Sequence, residues 1–317
     1  MKQPQQKRLK HHLHGWLNLD KPYDMTSTQA VTAIKKLMSP AKIGHAGTLD
    51  PLATGVLPLA LGEATKTVQY LMEARKEYVF TVRFGVQTDT DDAEGMVIKE
   101  SAMRPTDAAI NAILPHYTGV IEQLPPTYSA LKINGERAYD LARAGEEVVL
   151  ATRPVVVHRF TMRERVDADH AIFHVECGKG TYVRSLARDI AASLGTCAHI
   201  SSLRRTRVGS FFESDAISLD VLEKSVIGST PDSYQEFLYP TERALDDIPA
   251  VMLDGTQAQR LRHGNHCYVS PAAFREGNAV VAGEDALYQA WCNGQFFALV
   301  ARRERALVPL RIFNTHT

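Results

Sequence analysis

Several things are missing from this chain, and each absence removes a class of function. No apolar run approaches 18 residues, so no segment is suited to cross a membrane as a helix. Basic residues open the N-terminus, MKQPQQKRLKHHLH, with no apolar stretch behind them. Residues 1–13 therefore read as a flexible exposed tail and not as a secretory signal. Cysteine is scarce: Cys177, Cys197, Cys267 and Cys292 are far apart and form no CxxC pair. That argues against a zinc knuckle and a disulfide scaffold, and a reducing cytoplasm fits best. GxGxxG, Walker A, GxSxG and HExxH are all lacking. His11 and His12 lie in the tail and His14 directly follows it, a poor place for a catalytic ion. There is no internal repeat and no low-complexity segment. The expected chemistry uses no cofactor and no metal, and rests on carboxylate, arginine, lysine and tyrosine.

Net charge is absent too, with 36 Lys and Arg against 36 Asp and Glu, but it is unevenly spread. Residues 213–247 hold nine acidic side chains against Lys224 and Arg243, about −7, which leaves about +7 for the remainder. Clusters at Lys7/Arg8/Lys10, Arg204/Arg205/Arg207 and Arg302/Arg303/Arg305 would form a basic face able to attract a polyanion. The length of 317 residues suggests two domains, or one large domain with an appendage.

What the chain does have is organised around KIGHAGTLDPLATGVLPLALGEATK, residues 42–66. Glycines every few residues around His45 and Asp50 suggest a backbone threaded close to something. Pro51 keeps Asp50 out of a helix interior. Asp50 is then either a turn acid accepting backbone N–H groups or a catalytic carboxylate. Upstream, HGWLNLD reads as a strand. Thr26 or Ser27 can cap a helix with Ala30, Val31, Ile34, Leu37 and Met38 inward, stopped at Pro40. KEYVFTVRF alternates as a strand with Tyr78, Phe80, Val82 and Phe84 on one face. GVQTDTDDAEG is an acidic turn. It is not an EF-hand, because Glu94 stands where that loop requires Gly.

Residues 125–150 lack one period and look like an excursion from the main sheet, carrying Lys132, Arg137 and Arg143. Residues 153–162 and 171–177 look like paired strands. In GKGTYVRSLARDIAASLG, Thr181 can cap a helix with Tyr182, Leu186, Ile190 and Leu194 on its apolar face. Arg184 near the start of that helix opposes its dipole. It is either held for an acid or phosphate, or is a surface arginine pairing with Asp189 or Glu176. Residues 249–317 show short alternating segments and read as a small all-β module.

GHAGTLDPLATGVLPLALGEATK resembles the catalytic segment of the TruB family of bacterial tRNA pseudouridine synthases. The resemblance runs on through GWLNLDKPYDMTS, RKEYVFTVRFGVQTDTDDAEG, PPTYSALKINGERAYDLAR, and CGKGTYVRSLARDIAASLG with SSLRRTRVGSF, covering nearly all of residues 15–212. It implies an α+β pseudouridine synthase fold with a central mixed, largely antiparallel sheet, flanked by helices and loops. A catalytic domain over 14–248 would carry an RNA-binding thumb at about 125–150. A PUA-like β-barrel would occupy 249–317, with LRHG at 261–264 its best-matching piece.

By the same resemblance, Asp50 is the catalytic aspartate, acting as nucleophile or as proton-abstracting base. Tyr78 stacks under the target base, Arg184 pairs with Asp50, Leu203 lines the pocket, and Lys21 is structural near the site. His45 enters the space the flipped base leaves, the alternative being a structural hydrogen bond within its loop. The implied reaction turns uridine 55 of the tRNA T-loop into pseudouridine. The implied partner is tRNA, through its T-arm and acceptor stem, bound by a monomer, with assistance to tRNA folding as a further role. Lys132, Arg137, Arg143, Arg204, Arg205 and Arg207 are expected to meet RNA, most of all its phosphates. Two other readings compete. One is an RNA-binding protein without chemistry, which would have no use for an acid facing a polyanion. The other is a sugar- or nucleoside-processing hydrolase, which would need a second acid such as Asp89 or Asp92 beside Asp50.

Overall fold

The computed structural model describes residues 10–129, 131–133, 136, 137, 139, 144, 149–228, 230–270 and 285–314. Strand β1 (Gly15–Lys21) is buried over nearly its whole length, with Trp16, Leu17 and Leu19 fully enclosed. Helix α1 (Ser27–Met38) starts at a capping box: the Thr26 hydroxyl accepts the Gln29 N–H and the Gln29 side chain accepts the Thr26 N–H. Its buried stripe is Ala30, Ile34 and Met38, and it ends where Ser39 turns left-handed just before Pro40. Strands β2 (Ile43–His45) and β3 (Thr54–Leu61) flank the loop that carries Asp50. A single 3-10 turn and helix α2 (Val68–Glu73) lead into β4 (Lys76–Phe84), which buries Phe80, Val82 and Phe84 as its alternation predicts.

The acidic turn joins β5 (Val86–Thr88) to β6 (Val97–Glu100). Helix α3 (Asp107–Ile113), capped by Thr106, precedes β7 (Gly119–Gln123). In the excursion, β8 (Lys132–Ile133) pairs with β9 (Glu136–Arg137). Arg143 and the side chains of Lys132 and Arg137 lie outside what is described. Long strands β10 (Arg153–Arg165) and β11 (His170–Cys177) form the expected hairpin. Helix α4 (Val183–Ser193) follows, then β12 (Ala198–Val208), β13 (Phe211–Phe212), β14 (Ile217–Ser218) and helix α5 (Leu219–Val226).

The main sheet runs β14-β1-β3-β12-β4-β11-β10-β7, with β2 against β3 and β13 against β12. Its neighbours are antiparallel except β1/β14 and β3/β12, so the sheet is mixed and largely antiparallel as expected. One placement matters most for the site. β12 lies between β3 and β4, setting Arg205 opposite Gly55 on one side and opposite Tyr78 on the other. Two apolar clusters meet there, one around Phe80, Phe173 and Leu186 and one around Leu17, Ile34 and Leu57; Tyr78 and Leu203 pack against both.

The C-terminal unit contains β15 (Ala250–Leu253), β16 (Cys267–Tyr268), β17 (Leu287–Cys292), β18 (Gln295–Arg303) and β19 (Ala306–Ile312), ordered β15-β17-β18-β19-β16. It is not all-β. Helix α6 (Gly255–Arg262), opened by an Asp254–Gln257 capping box, buries Ala258 and Leu261 in its core. Mixed polar composition hides so short a helix from a search for periodicity. The unit docks on the first domain through several bonds. Lys66 Nζ donates to the Ile312 carbonyl (2.9 Å), the Asn314 N–H donates to Glu63 (2.8 Å), and the Gln289 amide donates to Leu245 and Ile248 carbonyls.

Residues 11 and 13 of the expected tail lie against the domain, and residues 1–9 lie outside what is described. The His11 N–H donates to the Ser39 carbonyl, the Ala41 N–H to that of His11, and Leu13 is buried in the core that contains α1.

Candidate active site

Asp50 sits on a loop whose backbone is tied down along its length. Ala46 N–H donates to the Pro58 carbonyl, Leu49 N–H to Ser27 Oγ, and Ala53 N–H to the Asp50 carbonyl. Lys21 is fully enclosed, and its Nζ donates to the carbonyls of Pro22, Met25 and Pro51. Arg205 reaches in from β12, donating to Val56 (2.8 Å), Gly47 (3.2 Å) and Thr48 (3.5 Å) carbonyls. Gly55 explains one of the glycines: its φ is +100°, and a Cβ there would lie 2.2 Å from the Arg205 carbonyl oxygen. The close approach that this glycine permits is to the protein's own β12 backbone.

With the loop held this way, the Asp50 carboxylate does not close an Asx turn. Its bonds go to Arg184, with Nε to Oδ2 at 3.0 Å and a second nitrogen to Oδ1 at 3.3 Å. This is the forked geometry in which arginine binds carboxylate best. The pairings offered by the sequence alone are taken by others: Asp189 meets Arg188 and Glu176 meets Arg75. Arg184 is 5% exposed and also donates to the Thr90 and Tyr128 carbonyls, both at 2.9 Å. The dipole conflict at its helix start is offset by two acids, since Asp92 also lies 3.5 Å from Arg184.

Thr181 does not cap α4; its hydroxyl donates instead to the Gly178 carbonyl. No side chain caps the first turn of α4; the N-cap residue Tyr182 is instead held by the fully buried Gln123 of β7, whose side chain accepts the Tyr182 N–H (2.7 Å) and donates to the Tyr182 carbonyl (3.0 Å). A hold from 59 residues away leaves no local signal. Asp92, unassigned from sequence except as a possible second acid, is held by Thr90 Oγ1 (2.6 Å) and the Glu94 N–H (3.0 Å). The Thr90–Asp92 spacing inside the acidic turn was its one readable trace.

Asp50 keeps 37% of its side-chain surface open toward the cleft, yet protein surrounds the rest. Burial pushes its carboxyl above the usual value of 3.8; Arg184 pulls it down, Asp92 pushes it up, and Lys21 and Arg205 pull it down. Burial therefore outweighs the arginine. Burial also lowers Lys21 to about 8, and does the same to Lys76, whose ammonium donates to Ala74 and Met72 carbonyls.

Leu203 lines a small cavity with Asp50, Ala53, Asp92 and Arg184. Tyr78 lines a separate, larger cleft of about 430 Å³, with Gly47, Thr48, Lys76, Arg153 and Arg205 around it. Burial raises the Tyr78 phenol while Arg205 pulls it down, so the ring is a flat apolar wall with its hydroxyl near a cation. His45 ends β2, opposite Leu59 and half-buried, five residues from Asp50.

The three arginines of β12 are each engaged within the protein. Arg204 forks onto Asp20 (3.0 Å to each oxygen) and meets Glu213 at 2.8 Å. Arg205 is 1% exposed and binds backbone. Arg207 pairs with Glu77 at 3.0 Å and stacks on Phe212. An arginine run cannot reveal that its partners lie on four other segments.

Comparison with known proteins agrees over the whole described architecture. Residues 35–183 match the N-terminal domain of TruB family pseudouridylate synthases, and residues 184–246 match the tRNA pseudouridylate synthase B C-terminal domain. The chain is 51% identical over 320 residues to tRNA pseudouridine synthase B of Bradyrhizobium diazoefficiens, covering 98% of this chain and 88% of the relative. It is 48% identical to that of a Caulobacter species, covering 95% and 96%. Among solved structures, a chain of a Cbf5-Nop10-Gar1 complex superposes with a TM-score of 0.72 at 27% identity, covering 95% of this chain and 85% of that one. A chain of an H/ACA RNP bound to a substrate RNA containing 2′-deoxyuridine gives 0.71 at 25%, with the same coverage.

Proposed function

The chain belongs to the TruB family of pseudouridylate synthases, and from that premise we propose that its Asp50–Arg184 pair isomerises uridine 55 in the T-loop of tRNA. The enzyme is a tRNA pseudouridine synthase, an isomerase acting on RNA. The observation that carries the role of the pair is the buried, forked Arg184 beside a carboxylate still open to a cleft. A binding-only protein has no need of that arrangement. Asp92 does supply the second acid a hydrolase would need, but its carboxylate is committed to Thr90, Glu94 N–H and Arg184.

In the reaction N1–C1′ breaks, the base turns and C5–C1′ forms. Asp50 acts on the sugar, either bonding to C1′ as a nucleophile or taking the 2′ proton. Arg184 aims the carboxylate, and Tyr78 gives the rotating uracil a flat wall. Lys21 holds the Pro51 carbonyl, so its role is to fix the turn beside Asp50. Leu203 excludes water from the small cavity. His45 supports the T-loop once the uridine is extruded, which costs a few kcal/mol. The C-terminal unit is a PUA-like module gripping the acceptor stem of a tRNA bound to the monomer.

Release of tritium from a tRNA transcript labelled at uridine C5 tests the reaction. The unmodified transcript should release it, and one with cytidine at position 55 should release none while still binding. Equal release from both would rule out this target. The raised Asp50 pKa adds a pH prediction. Asp50 must be ionised to act, so kcat/KM should fall with decreasing pH through a pKa above 3.8. An acid limb at or below that value would show that Arg184, not burial, dominates.

A further inference from the structure

Resting on the uridine-isomerase reading above, we propose that Arg205 stabilises the negative charge that the uracil carries between cleavage of N1–C1′ and formation of C5–C1′. Arg205 is the arginine of β12 that meets no acid among the described residues. Arg205 is 1% exposed, and among the described residues no carboxylate lies within ion-pair distance of its guanidinium. Its neighbours on the same strand differ: Arg204 has Asp20 and Glu213, and Arg207 has Glu77. A buried cation whose partners are backbone carbonyls and the Tyr78 phenol, with no carboxylate, is costly to fold. A loop-tying role would be filled at lower cost by a neutral side chain.

Position supplies the reason for keeping the charge. Arg205 lines the cleft walled by Tyr78 and lies in register beside it, with the guanidinium beneath Gly47, where a Cβ would sit 3.5 Å away. Lys21 and Lys76, both buried, donate to carbonyls close by and also lack acidic hydrogen-bond partners. The cleft lining is cationic in excess, with Lys76, Arg153, Lys179 and Arg205 against Glu73, while the Asp50 carboxylate is bound by Arg184.

The chemistry creates an anion there. When N1–C1′ breaks, N1 keeps the electron pair, and the charge spreads over N1, O2 and O4. Asp50 meanwhile bonds to C1′, or takes the 2′ proton and later returns it. Attack of C5 on C1′ consumes the pair; the C5 proton is then lost and N1 gains one, so the product is an isomer. A cation fixed in place beforehand lowers the barrier without reorganisation, and more strongly in a water-poor site than in solvent.

Full-length Arg205→Gln and Arg205→Lys are to be compared with wild type in single-turnover assays. The tRNA carries either uridine or 5-fluorouridine at the target, and loss of the parent nucleoside is followed by mass spectrometry. Fluorine makes the departing base a more stable anion, so less help is needed. Arg205→Gln is expected to slow the uridine reaction by roughly 10²–10³-fold, with tRNA Kd unchanged. Its loss on 5-fluorouridine should be about tenfold smaller or less, and Arg205→Lys should lie between wild type and Gln. Equal losses on the two bases would overturn the proposal in favour of a loop-holding role, as would Lys and Gln being equally slow. If Arg205→Gln does not fold, the comparison of the two bases in Arg205→Lys decides. Failure of the wild type to convert uridine would instead sink the uridine reading itself.

Discussion

Asp50→Asn is expected to lower C5 tritium release by about 10⁴-fold or more, while tRNA Kd stays within about threefold of wild type. The amide is nearly isosteric, so the loop anchors from Ser27, Lys21 and Arg205, all to backbone, survive the change. What is lost is the negative oxygen that must meet C1′ or the 2′ proton. An amide is too weak a nucleophile and too weak a base for either task. Removing the charge also relieves burial of a carboxylate, so the variant should be at least as stable as wild type if burial outweighs Arg184, as the raised pKa indicates. The pair of measurements is decisive: release close to wild type would exclude Asp50 from the chemistry, and weakened binding would make it a substrate contact.

Arg184→Met should be nearly as damaging to turnover, by about 10³-fold, and unlike Asp50→Asn it should also destabilise the fold. The guanidinium holds Asp50, Asp92, the Thr90 carbonyl and the Tyr128 carbonyl at once. Without it two carboxylates face each other with no cation between them. Breaking a fully buried pair costs about 3–5 kcal/mol; Asp50 remains partly open, so about 2–3 kcal/mol is expected here. Thermal unfolding and single-turnover rates would check this. The pH profile gives a sharper readout. With Arg184 gone, Asp50 should titrate at a still higher pH, moving the acid limb of kcat/KM upward. An unmoved limb would mean the arginine does not act through Asp50.

The parts of this molecule that a reader of the sequence can see are those written in neighbouring residues. The Thr26 cap, the β4 alternation and the β10/β11 hairpin follow from local pattern. The site is different. Resemblance named Asp50, Tyr78 and Arg184, while local pattern alone left Asp50 open between a turn acid and a catalytic carboxylate, and Arg184 open between a held cation and a surface charge. The structure separates these readings because the ion pair spans 134 residues of chain. The partners of the β12 arginines were hidden for the same reason. Three cations in four residues suggest a phosphate patch, but Asp20, Glu77 and Glu213 reach them through sheet pairing that composition does not encode. Asp92 and Gln123 were missed because each works through a fold contact across many residues.

The position of β12 also governs when the molecule can come into being. β3 and β4 are made early in translation, but the strand that belongs between them ends only at Val208. Until then the apolar TGVLPLAL strand has an open edge, a template for wrong pairing. Pairings so distant in sequence are slow to form, because the intervening loop must be closed first. The ribosome therefore releases a chain whose catalytic loop has no anchor from Arg205 until two-thirds of it has been synthesised. A stalled or truncated product ending before β12 should depend on chaperones and be cleared by proteases, not accumulate as a partly active enzyme.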